Sequence, residues 1–200
     1  ILRQHRLHLD LPAAVSECLN RLKAIIPRGP NETALDVLDF FQTRLQHLLF
    51  GEGYDNETVA AVLATSGRDM VEAADKVRAL EEIRQSPDFP ALAVAFKRVI
   101  NISRGAEPGE VNELLFEYPE EKVLSEATVL MENEVEEALA RRDYSEACRA
   151  LAKLKGPVDA FFDKVLVMAE DPKLKKNRLT LLARISQTFL KMADFSKIAT

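Results

Sequence analysis

Leu11, Val15, Leu19, Leu22 and Ile26 stand three or four positions apart. That spacing gathers them on one side of a helix and would scatter them over both faces of a strand. The rhythm returns in Leu35, Leu38, Phe41, Leu45 and Leu48, in Val71, Ala74, Val77, Leu80 and Ile83, and in Leu92, Ala95, Phe96, Val99 and Ile102. Between these runs the chain is cut by residues that end helices. Pro12 suits the first turn of a helix that runs to about Ile26, and Pro27-Arg28-Gly29-Pro30 stops it. A second helix is expected from Asn31 to the break at Gly51-Glu52-Gly53. Asp55 or Asn56 caps a third, from Glu57 to about Thr65, and Ser66-Gly67 closes it. Asp69 opens a fourth, and Ser86-Pro87 with Pro90 turns the chain into a fifth, from about Ala91 to Ser103.

Arg104 to Gly109 is the most linker-like stretch. Beyond it a short turn is expected over Val111 to Phe116, then a long helix headed by Pro119 and ending near Ala140. Asp143 caps the next helix, to about Leu154. Gly156-Pro157 separates that helix from another over Val158 to Ala169, and Asp171-Pro172 precedes a last one reaching about Asp194. No alternating run around an Asn-Gly or Asp-Gly turn signals a β-hairpin, and no repeat of 20–50 residues with consistent residue types points to a solenoid. The expected fold is all-α, a bundle of about eight to ten helices. Residues 1–30 read as a helical lead-in and 31–200 as the main helical domain, with a possible internal break at 104–110.

The charge is unevenly placed. The net is -5 overall, yet residues 151–200 hold ten Lys/Arg against five Asp/Glu, leaving 17 against 27 in residues 1–150. An acidic body with a basic C-terminal quarter argues against a general polyanion binder and suits a particular RNA met along one face. Uneven surface charge without function is the plainer reading. No apolar stretch approaches the roughly 20 residues of a membrane span. The opening Ile1-Leu2-Arg3-Gln4-His5-Arg6 has no apolar core of a secretory signal, and without an initiator Met the start reads as an internal cut in a longer chain. The sequons at Asn31 and Asn56 therefore read as helix N-caps; a third sequon begins at Asn101.

The residues that carry chemistry are sparse. Cys18 and Cys148 lie 130 positions apart with no CxxC, and read as reduced core thiols rather than a disulfide. His5, His8 and His47 are the only histidines and have no Cys, Asp or Glu partners at metal-ligand spacing. There is no Gly-rich phosphate loop, HExxH or Gly-x-Ser-x-Gly elbow. Glu132, Glu134, Glu136 and Glu137 read as solvated charge on a long helix. Neither a catalytic residue nor a metal site is expected in this chain.

Several segments resemble a known family. Ala34-Leu35-Asp36-Val37-Leu38-Asp39-Phe40-Phe41-Gln42-Thr43-Arg44-Leu45 is similar to that family's Leu-Leu-Asp-Phe run ending in Asp-Arg-Leu. Ala60-Ala61-Val62-Leu63-Ala64, Val77-Arg78-Ala79-Leu80 and Phe96-Lys97-Arg98-Val99-Ile100-Asn101-Ile102 resemble three further helices. The most specific match is Pro157-Val158-Asp159-Ala160-Phe161-Phe162-Asp163-Lys164-Val165-Leu166-Val167-Met168-Ala169-Glu170-Asp171, followed by Asn177-Arg178-Leu179-Thr180-Leu181-Leu182 and by Ala193-Asp194-Phe195-Ser196-Lys197-Ile198. In that order these resemble the C-terminal end of bacterial-type glycyl-tRNA synthetase β subunits. Leu7-His8-Leu9-Asp10-Leu11 resembles the family's lead-in, with His8 where Pro is usual; Thr43 stands where Asp often precedes Arg44.

The resemblance implies a DALR-type anticodon-binding bundle, a fold shared with arginyl-tRNA synthetase. It implies glycine-accepting tRNA as partner, together with an α subunit or fused α region that handles glycine, ATP and Mg2+. This chain would need no cofactor of its own, and neither a membrane nor DNA is an expected partner. The implied location is cytoplasmic, or organellar in a eukaryote.

Unstacked anticodon bases call for Arg and Asn at base edges, Lys and Arg at phosphates, and sometimes an aromatic plane. One candidate surface is Lys97, Arg98 and Asn101 on the fifth helix. The alternatives there are a cap made by Asn101 and an Arg98 paired with a core carboxylate. The second candidate is Lys173, Lys175, Lys176, Asn177 and Arg178 at the start of the last helix, where backbone amides would assist. Its alternatives are a solvated basic turn, or Arg178 paired with Asp171 or Asp163. Of Phe161 and Phe162 one is expected in the core, and the other could be a stacking platform; Arg44 is a weaker candidate. The helix ending at Ile102 and the one beginning near Lys175 should come together as one positive surface. A protein-interaction scaffold without RNA binding, and the anticodon module of arginyl-tRNA synthetase, are the rival readings; the Ala-Asp-Phe-Ser-Lys-Ile ending counts against the latter.

Overall fold

The computed structural model describes residues 1–22, 25, 29–87 and 89–198. Among these residues there are nine α-helices, two single 3-10 turns and no strand. The helices are α1 (Leu11–Leu22), α2 (Pro30–Gly51), α3 (Asn56–Leu63), α4 (Met70–Arg84), α5 (Phe89–Ile102), α6 (Pro119–Ala140), α7 (Tyr144–Ala152), α8 (Lys155–Lys164) and α9 (Pro172–Leu190). The 3-10 turns are Glu113–Leu115 and Phe195–Lys197. The expected end of α1 at Ile26 and its stop at Pro27-Arg28 lie outside the described residues.

Four helix starts follow one rule. Asp55, Asp69, Asp143 and Asp171 each precede a helix with a side chain that accepts amide hydrogens of the first turn, filling donors that have no partner within the helix. Asn31 and Asn56 are not caps. Gly29 and Asp55 hold those positions, and both asparagines fall inside the first turn. Gly156-Pro157 does not separate two helices; it lies within the first turn of α8. Proline is tolerated there because a first-turn residue donates no intrahelical hydrogen bond. The helix expected over 158–169 instead stops at Lys164, where Val165 becomes extended. From there Val165 and Val167 turn inward while Leu166 and Met168 face water.

The helices pack around one continuous core. α6 lies against α7, α8 and α9, α4 against α7, and α5 against α9, while α1 pairs with α2 at the N-terminal end. Phe96 of α5 and Phe189 of α9 stack with ring centroids 3.9 Å apart, and Phe195 meets Phe96 edge-on at 5.1 Å. The C-terminal segment is therefore a plug. Asp194 caps its own turn through the Ser196 amide and hydroxyl, its backbone N–H donates to the Ala61 carbonyl at 2.9 Å, and Phe195 and Ile198 are buried. The apolar stripe of α2 is shifted from the expected one. Leu45 and Leu49 are buried and Val37, Leu38 and Phe41 are packed against the core, but Leu35 and Leu48 are exposed, so the buried stripe runs through Leu38, Phe41, Leu45 and Leu49.

His8 Nδ1 hydrogen-bonds the Asp69 carboxylate at 2.7 Å, tying the lead-in to the start of α4. Arg3 grips Glu52, and Arg6 grips Asp75, each through two hydrogen bonds of 2.7–3.0 Å. Lys76 is buried, and its ammonium donates to the Lys191 carbonyl at 2.7 Å and pairs with Glu72.

Candidate RNA interface

Much of the basic quarter is spent internally. Glu132 of α6 pairs with Arg184, Glu134 with Lys153 at 2.8 Å, and Glu136 with Lys191 at 2.8 Å. Only Glu137 keeps to its own helix, 3.9 Å from Arg141. These glutamates were expected to be idle surface charge; three of them tie α6 to α9 and to the end of α7. Lys155 is likewise paired, with Asp159. What remains is informative. Among the described residues of this quarter, Lys164, Lys173, Lys175, Lys176 and Lys197 make no ion pair, and Lys173, Lys175 and Lys176 stand together within the first turns of α9.

The structure removes two residues from that group. Arg178 is 3% exposed. Its Nε donates to Glu121 Oε1 at 2.9 Å, Nη2 to Glu117 Oε2 at 2.8 Å, and Nη1 to the Leu166 carbonyl at 3.2 Å. Neither Asp163 nor Asp171 is the partner. Burial alone would push the Glu121 carboxyl up, but the Arg178 hydrogen bond and the amides of Glu117 and Tyr118 outweigh it and hold it below the ordinary glutamate value. Asn177 is buried too, exchanging two hydrogen bonds with the backbone of Asn112 at 2.8 and 3.0 Å. Both residues brace the turn before α6 against α9, and neither presents a free edge to a ligand. The backbone amides at this helix start are also less free than expected, since Asp171 accepts from the Lys173 N–H at 2.7 Å.

On α5 the three candidates diverge. Lys97 is half-buried, and its ammonium reaches the Ile198 carbonyl at 3.4 Å. Arg98 is exposed, but its guanidinium lies 4.0 Å above the centroid of the Phe162 ring, a cation–π contact. Phe161 and Phe162 both belong to the core, so neither is the stacking platform that one of them could have been. Asn101 is exposed and accepts from Arg104 at 3.4 Å.

Between α5 and α9 runs the segment that looked like a linker. Gly105 there takes a positive φ of 80°, a backbone conformation open to glycine at no steric cost. The segment packs along α9 and makes two shallow clefts that meet at Ala106. One is lined by Glu107, Lys175, Lys176 and Thr180, the other by Ile100, Arg104, Ser186 and Leu190. Arg104 thus lines the cleft next to the one lined by Lys175 and Lys176, and it was not among the residues expected at the site. Its position three after Asn101 was the available signal, since residues so spaced share a helix face. Glu107 supplies opposing charge in the cleft of the two lysines.

Outside this region chemistry is sparse. Cys148 is buried and its thiol is pushed up to about 12, whereas Cys18 is exposed rather than a core thiol; both are free. Among the described residues no three of His, Cys, Asp and Glu are grouped to hold a metal ion. In the same set no helix is long and apolar enough to cross a membrane.

The chain is similar to known proteins over nearly its whole length. Residues 92–199 match the family described as the DALR anticodon binding domain. The chain is 36% identical over 96% of its length to the glycine–tRNA ligase beta subunit of Syntrophus aciditrophicus (strain SB). To the protein of the same name from Geotalea uraniireducens (strain Rf4) it is 44% identical over 95%, and to that from Anaeromyxobacter dehalogenans (strain 2CP-1 / ATCC BAA-258) 42% over 96%. It spans about 28% of the length of each of these relatives.

Proposed function

The chain belongs to the family of DALR anticodon binding domains, and from that premise we propose that it grips the anticodon arm of a glycine-accepting tRNA as one region of a glycine–tRNA ligase β subunit. The observation that carries the reading is the charge left over once internal pairs are assigned. Lys173, Lys175 and Lys176 remain unpaired at the start of α9, and Lys175 and Lys176 line a cleft that adjoins the one lined by Arg104. Phosphates of an RNA loop would meet the lysines, and exposed Arg98, Arg104 and Asn101 would stand nearest to base edges from the α5 side. Lys97 would contribute through the field it adds at the C-terminal plug rather than by contact. Arg178 and Asn177 act behind the surface.

In the assembled ligase, charging of tRNA with glycine at the expense of ATP, with Mg2+, falls to the α subunit or a fused α region. This chain supplies recognition alone, in the compartment where tRNA is charged. The test is equilibrium binding of the chain to a glycine tRNA transcript, and to one altered at the two anticodon bases common to all glycine codons. The expected loss is about 1–3 kcal/mol per replaced base, on the scale of base-edge contacts in nucleic-acid complexes. Equal binding to both transcripts would reject anticodon reading and leave a nonspecific or scaffolding role.

A further inference from the structure

Around Arg178 the surface is unexpectedly apolar. Leu166, whose carbonyl Arg178 holds, is 69% exposed, and Met168 two residues on is 58% exposed. On the other side of the guanidinium, Tyr118 is 43% exposed, with Arg178 Cζ 5.8 Å from its ring centroid. Leu114 stands 94% exposed in the 3-10 turn just before it. Lys175 lies one turn before Arg178 on α9, with Lys173 and Lys176 beside it.

We propose that Tyr118, with Met168 and Leu166 as its apolar flanks, is a stacking platform for an unpaired base of an RNA loop whose backbone runs over Lys173, Lys175 and Lys176. The proposal rests on the RNA-binding reading and adds to it a specific residue and a specific contact. Two physical points carry it. An exposed aromatic ring on the turn that Arg178 ties to α9, where unpaired lysines stand, supplies both elements that single-stranded nucleic acid needs, a π-face and a positive track. The backbone that bears the ring is set in advance, because Glu121 accepts the Tyr118 and Glu117 amides at 3.0 and 2.8 Å while Arg178 holds Glu121, so less ordering cost remains on binding. The Arg178 guanidinium is itself balanced by Glu117 and Glu121, so attraction for a phosphate falls to the unpaired lysines of α9, and it is they that favour RNA over an apolar peptide as occupant.

Tyr118→Phe and Tyr118→Leu separate the ring from the bulk. Binding of each variant of the chain to the glycine tRNA transcript would be followed across salt concentrations, with thermal unfolding measured alongside. The Phe variant should bind within about twofold of wild type. The Leu variant should bind about 5- to 150-fold more weakly with an unchanged salt slope. A transcript carrying 2-aminopurine in the anticodon loop gives a readout independent of stability, with fluorescence quenched on the wild-type and Phe proteins and not on bound Leu variant. If Tyr118→Leu binds as wild type, or if 2-aminopurine stays bright at every loop position, the platform is overturned. RNA binding itself then still stands wherever Lys175→Glu weakens the complex. Failure of the wild-type chain to bind the transcript at all would overturn both.

Discussion

Arg178 and Glu121, 57 positions apart, form a buried ion pair with Nε 2.9 Å from Oε1 and exposures of 3% and 1%. Three segments converge on it: the turn before α6 through Glu117 and Tyr118, the extended stretch after α8 through Leu166, and α9 itself. Two charges withdrawn from water cost several kcal/mol each, and the pair persists only because nearly every polar atom finds a partner. The positions on which the proposed RNA-binding surface is built are thus fixed by a charge that stays inside the fold.

Removing one member of that pair strands the other. Arg178→Met should destabilise the chain by about 3–5 kcal/mol in urea unfolding. Adding Glu121→Leu should recover part of the loss, since the double variant leaves no buried charge behind. A double variant less stable than Arg178→Met alone would show that Glu121 is held chiefly by the backbone amides.

The same carboxyl sets a pH dependence. Its folded value lies below the ordinary glutamate value of about 4.3. Folding therefore favours the ionised form, and this contribution is fully present above the ordinary value and lost as pH falls through the folded one. Glu121→Gln should flatten the acid limb of a stability–pH curve below about pH 5 while lowering stability at neutral pH. An acid limb identical to wild type would place the titrating group elsewhere.

Local signals in the sequence were readable because they act locally. Aspartate caps, Pro119 at the head of α6 and the apolar steps of α4 and α5 are fixed by neighbours within one turn. Pairings across the fold were not. Arg178 read as a phosphate-facing cation or as the partner of Asp171 or Asp163 until α6 supplied Glu121, and Glu132, Glu134 and Glu136 looked solvated until α7 and α9 supplied their partners. Lys76 in the core carried no sign of burial, because the local Glu72 pair is common on exposed helices and the contact that holds the ammonium inside is a carbonyl 115 positions away. Tyr118 went unnoticed as a surface aromatic for the complementary reason: exposure depends on what the fold fails to cover.

The C-terminal motif is an anchor as much as a family signature. Phe195→Ala removes a ring packed on Phe96 and Phe189 and should cost about 3–5 kcal/mol. It should also release the Ile198 carbonyl from Lys97, so proteolysis should nick the C-terminal segment first. Unchanged thermal stability would mean that the plug is not part of the cooperative core.

The two thiols should separate cleanly under a thiol reagent. Cys18 is exposed, while Cys148 is buried with its thiol pushed up to about 12; the reactive species is the thiolate. One equivalent should label rapidly at neutral pH in the native chain and the second only as the chain unfolds. Fast labelling of both would mean that α7 opens far more readily than its packing on α4 and α6 implies.

Charge reversal at Lys175 and Lys176 tests the electrostatic half of the proposed interface apart from the proposed platform. Each phosphate contact contributes about 0.7–0.9 to the slope of log K against log salt, because each releases condensed counterions. Lys175→Glu with Lys176→Glu should therefore weaken tRNA binding and lower the slope by about one to two units. Since neither lysine makes an ion pair among the described residues, unfolding stability should stay within about 0.5 kcal/mol. Lys153→Glu with Lys191→Glu is the matched control. Those cations are already paired with Glu134 and Glu136, so reversing them should cost stability and leave the slope near wild type. A slope that falls equally in both double variants would mean that RNA responds to net charge alone, and the start of α9 would lose its claim to contact.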